Sequence, residues 1–170
     1  APVDPATGRK QLDWGQHTYD VEGITELIQS SPYVRAVGVV LGPASGILAV
    51  DFDGAGSTAM FREVFGRDYT ELADTVCWSS GRPNRRQLAF RVPLELHDQL
   101  RGRRRWQRNG VTVLELRWAG HQSVIAGEHP DTNGYYWINS PDTHQVADAP
   151  EWLIEPLYLP PDETPADDYK

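Results

Sequence analysis

The chain has 170 residues, of which 39% are hydrophobic and 24% charged. That is enough for one domain with its own core, and no run approaches the ~20 apolar residues of a membrane span. The formal charge of −8 argues at first against a nucleic-acid partner, and the single cysteine, Cys77, excludes an internal disulfide and reads as a buried intracellular thiol.

No signal-peptide pattern opens the chain, which starts at Ala1 and so reads as a processed or excised form of a cytoplasmic protein. Asp20 to Ser30 reads as a helix capped by Asp20, with Ile24, Leu27 and Ile28 on one face. Ala36 to Leu41 and Ile47 to Phe52 are apolar strands around Gly42-Pro43-Ala44-Ser45-Gly46, a pattern that predicts a hairpin. Ser57 to Phe65 reads as a helix capped by Ser57 and closed by Gly66. Asp74 to Trp78 and Gln87 to Val92 read as strands on either side of a Ser/Gly/Arg-rich loop, and Pro93 opens a further helix to Leu100. Val111 to Trp118 and Ser123 to Ala126 are strands. Tyr135 to Ile138 follows an Asn-Gly turn and is expected to pair as a hairpin. Helices mixed with hairpins predict an α+β fold with a mainly antiparallel sheet flanked by helices. Residues 1–159 are expected to form the domain, and residues 160–170 an acidic, Pro-rich linker or tail.

Three features carry chemistry. The run Ile47-Leu48-Ala49-Val50-Asp51-Phe52-Asp53-Gly54 ends a strand in two carboxylates on one face, because side chains alternate with period two. Paired carboxylates repel unless a cation lies between them, and carboxylate oxygen suits Mg²⁺ or Mn²⁺. A turn-forming acidic strand end is the plainer alternative. In Val111–Trp118, residues 111, 113, 115 and 117 share a face, and Glu115 lies between Leu114 and Leu116. An ionised group there must be paired, by a cross-strand arginine, or bound to metal. With Asp51 and Asp53 it makes a three-carboxylate set.

The second feature is the loop Trp78-Ser79-Ser80-Gly81-Arg82-Pro83-Asn84-Arg85-Arg86-Gln87, whose small residues and guanidinium donors can wrap an anion. It lacks the Gly-Lys-Ser/Thr ending of a P-loop. The third is a basic patch within an acidic chain. Nine of the sixteen basic residues lie between Arg82 and Arg108, all of them arginine, which offers bidentate donors to phosphate. Within Arg103-Arg104-Arg105-Trp106-Gln107-Arg108 the aromatic amid cations has the form of a single-strand footprint, with Trp106 exposed. Trp118 shares its strand face with Leu116 and reads as core.

In order along the chain stand a Gly-containing turn into Asp-x-Asp, a Ser-Gly loop into Leu88-Ala89-Phe90, Glu115 in an apolar strand, and Glu128-His129-Pro130-Asp131-Thr132-Asn133-Gly134-Tyr135-Tyr136-Trp137. This succession resembles the bifunctional primase/polymerase (PrimPol) domain of the archaeo-eukaryotic primase superfamily over roughly Val37 to Ile138. The resemblance implies an RRM-like catalytic core and a template-directed nucleotidyltransferase acting on a single-stranded DNA template and primer with dNTP or NTP substrates. It implies Asp51, Asp53 and Glu115 as ligands of two divalent ions, Mg²⁺ or Mn²⁺. It further implies Ser80, Gly81, Arg82, Arg86, Gln87 and His129 around the nucleotide, while the Arg/aromatic cluster itself puts Arg103, Arg104, Arg105, Trp106 and Arg108 on nucleic acid. It also implies a prokaryotic, plasmid or phage context, with a helicase or accessory domain fused in the full-length protein. One position departs from the pattern: the family's second motif usually ends in His, where this chain has Gln87, an uncharged amide that can still donate to phosphate. Two other readings use the same residues, a metal-dependent nuclease and a catalytically degenerate single-strand-binding domain.

Overall fold

The computed structural model describes residues 20–31, 34–72 and 74–158. The acidic segment 160–170 lies outside the described residues, so the sequence reading of it as a linker has no structural counterpart here. The elements run α1 (Val21–Ser30), β1 (Ala36–Val40), β2 (Ile47–Asp53), α2 (Ser57–Phe65), β3 (Cys77–Ser79), β4 (Arg85–Arg91), β5 (Arg103–Arg108), β6 (Val111–Arg117), β7 (Gln122–Gly127), β8 (Tyr136–Asn139), β9 (Ala147–Asp148) and α3 (Glu151–Ile154), with short 3₁₀ turns between. The fold is α+β, mostly antiparallel, with few helices. No described helix is long and apolar enough to cross a membrane.

The main sheet has the order β5-β6-β2-β4-β3-β8, with β9 added in parallel to β4. β2 is its central strand, and Leu48, Ala49 and Val50 are fully buried. Its even-numbered side chains, with Leu88, Phe90, Leu114 and Leu116 of the neighbouring strands, meet Phe61 of α2 and the Leu153-Ile154-Leu157 segment in the principal core. A side chain of the size of Phe61 contributes about 2–3 kcal/mol by leaving water.

β1 and β7 form a separate two-stranded sheet. A smaller cluster of Val76, Trp78 and Ala89, joined by Ile47, Ile125 and Trp137, packs on the main sheet's other face. There the Trp78 indole donates to the Val124 carbonyl at 2.9 Å, tying that sheet over it.

Two expected hairpins are replaced by longer-range pairings. The turn after β1 meets β2 in the isolated bridge Gly42↔Ile47, while β1 pairs with β7 and β2 lies between β4 and β6. A fully buried strand must satisfy the N–H and C=O groups on both its edges, and two flanking strands do this where one hairpin partner cannot. Likewise β8 pairs with β3 rather than with β7. Asp20 caps α1 as expected, accepting from the Gly23 N–H at 2.8 Å, and Gly66 closes α2 in the left-handed conformation. The N-cap of α2 is Gly56 rather than Ser57. The expected helix from Pro93 is a 3₁₀ turn, Leu94–Gln99. Arg103–Arg108, read only as a basic patch, is the edge strand β5.

Candidate active site

Register assembles the site. Asp51 on β2 stands opposite Gln87 on β4 and Glu115 on β6. Gln87 in turn faces Trp78 on β3, Trp78 faces Trp137 on β8, and Glu115 faces Arg105 on β5. One transverse row, Trp137–Trp78–Gln87–Asp51–Glu115–Arg105, therefore crosses six strands with its side chains on one face, since directly opposed residues in a ladder point the same way. Asp53 lies two residues along β2 on the same face, opposite Arg85.

Above part of this row opens a cavity of about 150 Å³, lined by Asp51, Asp53, Ser80, Arg85, Gln87 and His129, with Trp78, Ser79, Arg86 and Tyr135 completing the wall. Its polar rim comes from the β3–β4 loop. There the Ser79 hydroxyl donates to the Arg85 carbonyl at 2.7 Å and accepts from the Gly81 N–H at 3.1 Å. Gly81 has φ +81°, and a Cβ there would crowd the Thr132 side chain at 3.1 Å. Thr132 donates to the Ser80 carbonyl at 2.6 Å and Arg82 pairs with Asp131, so the loop carrying His129 is fastened to the Ser80–Arg82 loop.

The carboxylates are held by arginines. Arg85 contacts Asp53 at 2.6 Å. Arg117 approaches Asp51 at 3.6 Å and Glu115 at 3.8 Å and donates to the Ser123 hydroxyl at 3.2 Å. Asp51 is only 17% exposed. Burial pushes its carboxyl up to about 7; Arg117 opposes that rise, and Asp53 and Glu115 add to it. Burial and the nearby Arg82 hold His129 below the usual imidazole value, while the ring packs edge-on to Tyr135 with centroids 5.5 Å apart. The buried Oε1 of Gln87 has no hydrogen-bond partner among the described residues.

The sequence-predicted groups divide in three dimensions. Asp51, Asp53, Ser80, Gln87 and His129 do line one cavity, and Glu115 joins Asp51 by register. Arg86 borders the cavity, but alternation along β4 sends its guanidinium to the opposite face. There it lies 5.0 Å from the Tyr69 ring centroid, and Nη1 donates to the Tyr69 hydroxyl at 3.5 Å.

Trp106, expected to be exposed, is half-buried against the principal core, 5.8 Å from the Phe65 ring. Arg104 lies over Trp106, and Arg108 pairs with Glu63 of α2 at 2.6 Å. Arg103 and Arg105 stand opposite Arg117 and Glu115, on the carboxylate face. Ser79 and Arg85 line the cavity from within the loop read as able to wrap an anion, whereas sequence reasoning missed Tyr135 as a cavity wall and Arg117 as the partner of two carboxylates. The shared face of residues 115 and 117 was the available signal for Arg117.

A family model described as bifunctional DNA primase/polymerase, N-terminal, matches residues 3–152. The class of protein that this match defines is that of DNA primase/polymerase domains. The chain belongs to the Prim-Pol family. No curated protein sequence matches it.

The family implies divalent ions. The donor chemistry fits them, since Asp51, Asp53 and Glu115 offer hard carboxylate oxygen on one sheet face. In their present rotamers no three His, Cys, Asp or Glu side chains among the described residues converge on one ion. Arg85 and Arg117 supply the neutralising charge instead.

Proposed function

We propose that this domain is a template-directed nucleotidyltransferase, a DNA primase/polymerase that joins nucleoside triphosphates on a single-stranded DNA template. The observation that carries the reading is the register of Asp51 against Glu115, with Asp53 on the same face beside a polar cavity, in a chain of the Prim-Pol family. In this reading β2, β4 and β6 belong to an RRM-like catalytic core within residues 1–159, and 160–170 link it to a helicase or accessory domain inside a prokaryotic cell.

Asp51, Asp53 and Glu115 would be the ligands of Mg²⁺ or Mn²⁺. When bound, two such ions supply Lewis-acid activation of the primer 3′-hydroxyl and charge compensation on the triphosphate. The cavity, at about 150 Å³, is below the ~300–1,000 Å³ that encloses a whole drug-sized ligand. It therefore suits the phosphate end of the nucleotide and leaves the base outside. Ser80 and Gly81 give the loop its close approach. Arg85 and Arg82 offer guanidinium donors, His129 and Gln87 line the wall, and Arg86 orders the loop through Tyr69. Gln87 donates through its amide where a histidine would donate through its ring.

On the same face, Arg103 and Arg105 provide the phosphate track for template or primer next to Glu115. Arg104 and Arg108 act through their packing on Trp106 and Glu63. A catalytically silent single-strand-binding domain is the second reading, favoured by Gln87 and by the arginine-held carboxylates.

Primer extension on a short single-stranded template with labelled dNTPs or NTPs and Mn²⁺ or Mg²⁺ tests the proposal. Stepwise products that vanish with EDTA and in Asp51→Ala/Asp53→Ala support it. Single-strand binding without extension supports the silent domain. Degradation of labelled DNA without added triphosphate points to a nuclease.

A further inference from the structure

Every described arginine outside residues 101–105 either meets a carboxylate or, as Arg86 does, lies on an aromatic ring. Arg101, Arg103, Arg104 and Arg105 have no ion-pair partner among the described residues. Glu115 stands opposite Arg105 but turns to Arg117, and Asp98 and Glu155, on the neighbouring 3₁₀ turns, meet none of the four. β5 lies at the edge of the main sheet, with Arg104 and Arg105 exposed and Arg103 partly so. Four like charges within five residues repel one another and attract an anionic partner. The described chain ends at this same edge. Leu100 and Tyr158 form an isolated antiparallel bridge. The Arg101 N–H donates to the Leu157 carbonyl at 2.8 Å, and the Arg101 guanidinium to the Tyr158 carbonyl at 3.2 Å. Past Tyr158 the sequence carries Asp162, Glu163, Asp167 and Asp168 against one cation, Lys170.

We infer that the acidic segment 160–170 docks on the arginine edge Arg101–Arg105 of its own domain and competes there with single-stranded nucleic acid. The competition rests on the reading of Arg103 and Arg105 as a phosphate track; the docking itself does not. Charge complementarity and the point of departure select this occupant over a foreign one, because tethering beside the edge supplies an effective concentration in the millimolar range. Exposed ion pairs that are individually weak then suffice to hold it. Length allows the contact. The antiparallel bridge sends the chain away from Arg103, so it has to reverse, and Pro160 and Pro161 lack the N–H groups that would prolong the departing ladder. The stretch from Thr164 to Lys170 remains for the return and spans up to about 23 Å, against about 20 Å for β5. A strand that presents several phosphates at once displaces the segment, so the acidic run sets a threshold for nucleic-acid binding on β5.

Two measurements on the whole chain test this. A nitroxide on Ala166→Cys, with the buried Cys77 left unlabelled, should broaden the backbone amide resonances of Arg103–Arg105 at about 50 mM salt. At about 1 M salt, where screening shrinks to ~3 Å, the broadening should vanish. Absence of broadening on β5 at low salt would overturn the docking. So would broadening that persists when spin-labelled chains are mixed with separate isotope-labelled ones, since the segment would then sit on a second copy. For the competition, the fourfold variant Asp162→Asn/Glu163→Gln/Asp167→Asn/Asp168→Asn should bind a fluorescent oligothymidylate about five- to tenfold more tightly than wild type at low salt. That gap should close as salt rises, and should be absent on an Arg103→Ala/Arg105→Ala background. Broadening on β5 with equal oligothymidylate affinities would overturn the competition, and with it β5 as the phosphate track, while leaving the docking in place.

Discussion

Replacing Asp51 by Asn should make the metal-free protein more stable at pH 8 while removing its chemistry. The Asp51 carboxyl rises from 3.8 to about 7 chiefly because the fold buries it, so ionising it costs more in the folded chain than in the unfolded one. Below pH 3.8 it is protonated in both states and imposes no cost. Above about 7 it is ionised in both and the whole cost is present, so stability falls as pH rises through that window. The gap corresponds to about 4 kcal/mol. The side chain is 17% exposed, and relaxation and water access should reduce the realised gain to about 2 kcal/mol, or roughly 4–8 °C in Tm for a domain of this size. Arg117 keeps Glu115 as a partner in the variant. The assay is urea and thermal unfolding of both proteins in EDTA at pH 5 and pH 8, reading the difference between them so that the histidines cancel. The variant should gain at pH 8 and much less at pH 5. Equal stability at both pH values would refute the argument that burial dominates this carboxyl.

Asp53→Asn and Glu115→Gln should each lower primer extension by about 10²–10³-fold, the range expected for groups that stabilise developing charge. Gel-shift affinity for single strands should change little, and loss of binding in parallel would show a folding defect instead. Arg103→Ala/Arg105→Ala should weaken single-strand binding and flatten its log–log salt slope by about 1.4, from two lost phosphate contacts. Arg104→Ala should leave the slope nearly unchanged, and equal slopes in all three proteins would remove β5 as the track. Cys77 is buried and its thiol is pushed up to about 11 by that burial. It should resist iodoacetamide at pH 8 in the native protein and react fully in urea, as mass spectrometry would record.

Local signals in the sequence were read well where they decide local structure. Period-two alternation placed Asp51 and Asp53 on one face, and Asp20 and Gly66 ended helices as their chemistry dictates. Pairing partners were another matter. Gly42-Pro43-Ala44-Ser45-Gly46 has the composition of a hairpin turn, yet Gly42 at φ +100° carries the chain between two sheets. Nothing local in Val37–Val40 reveals a partner near residue 124. The same limit hid the split of the arginine patch. Alternation of Arg103 and Arg105 against Arg104 and Trp106 matters only once the run is known to be a strand, and Trp106 is its one residue with marked strand preference. Asp51 and Glu115 group in the sequence by their shared chemistry, and Gln87 stands apart from them there. Their common row depends on which strands flank β2, which the sequence does not state.

The order in which the ribosome delivers these strands has its own consequence. β2 emerges early but obtains its two neighbours only when β4 and later β6 have left the ribosome. Until then its apolar stretch has neither edge paired, the kind of unpaired strand that draws other chains into aggregates. Any fragment ending before Val111 lacks a flank of β2 as well as Glu115, and should be insoluble rather than merely inactive. Chaperone dependence during synthesis, measured with arrested chains of increasing length, should drop once β6 is free to insert beside β2.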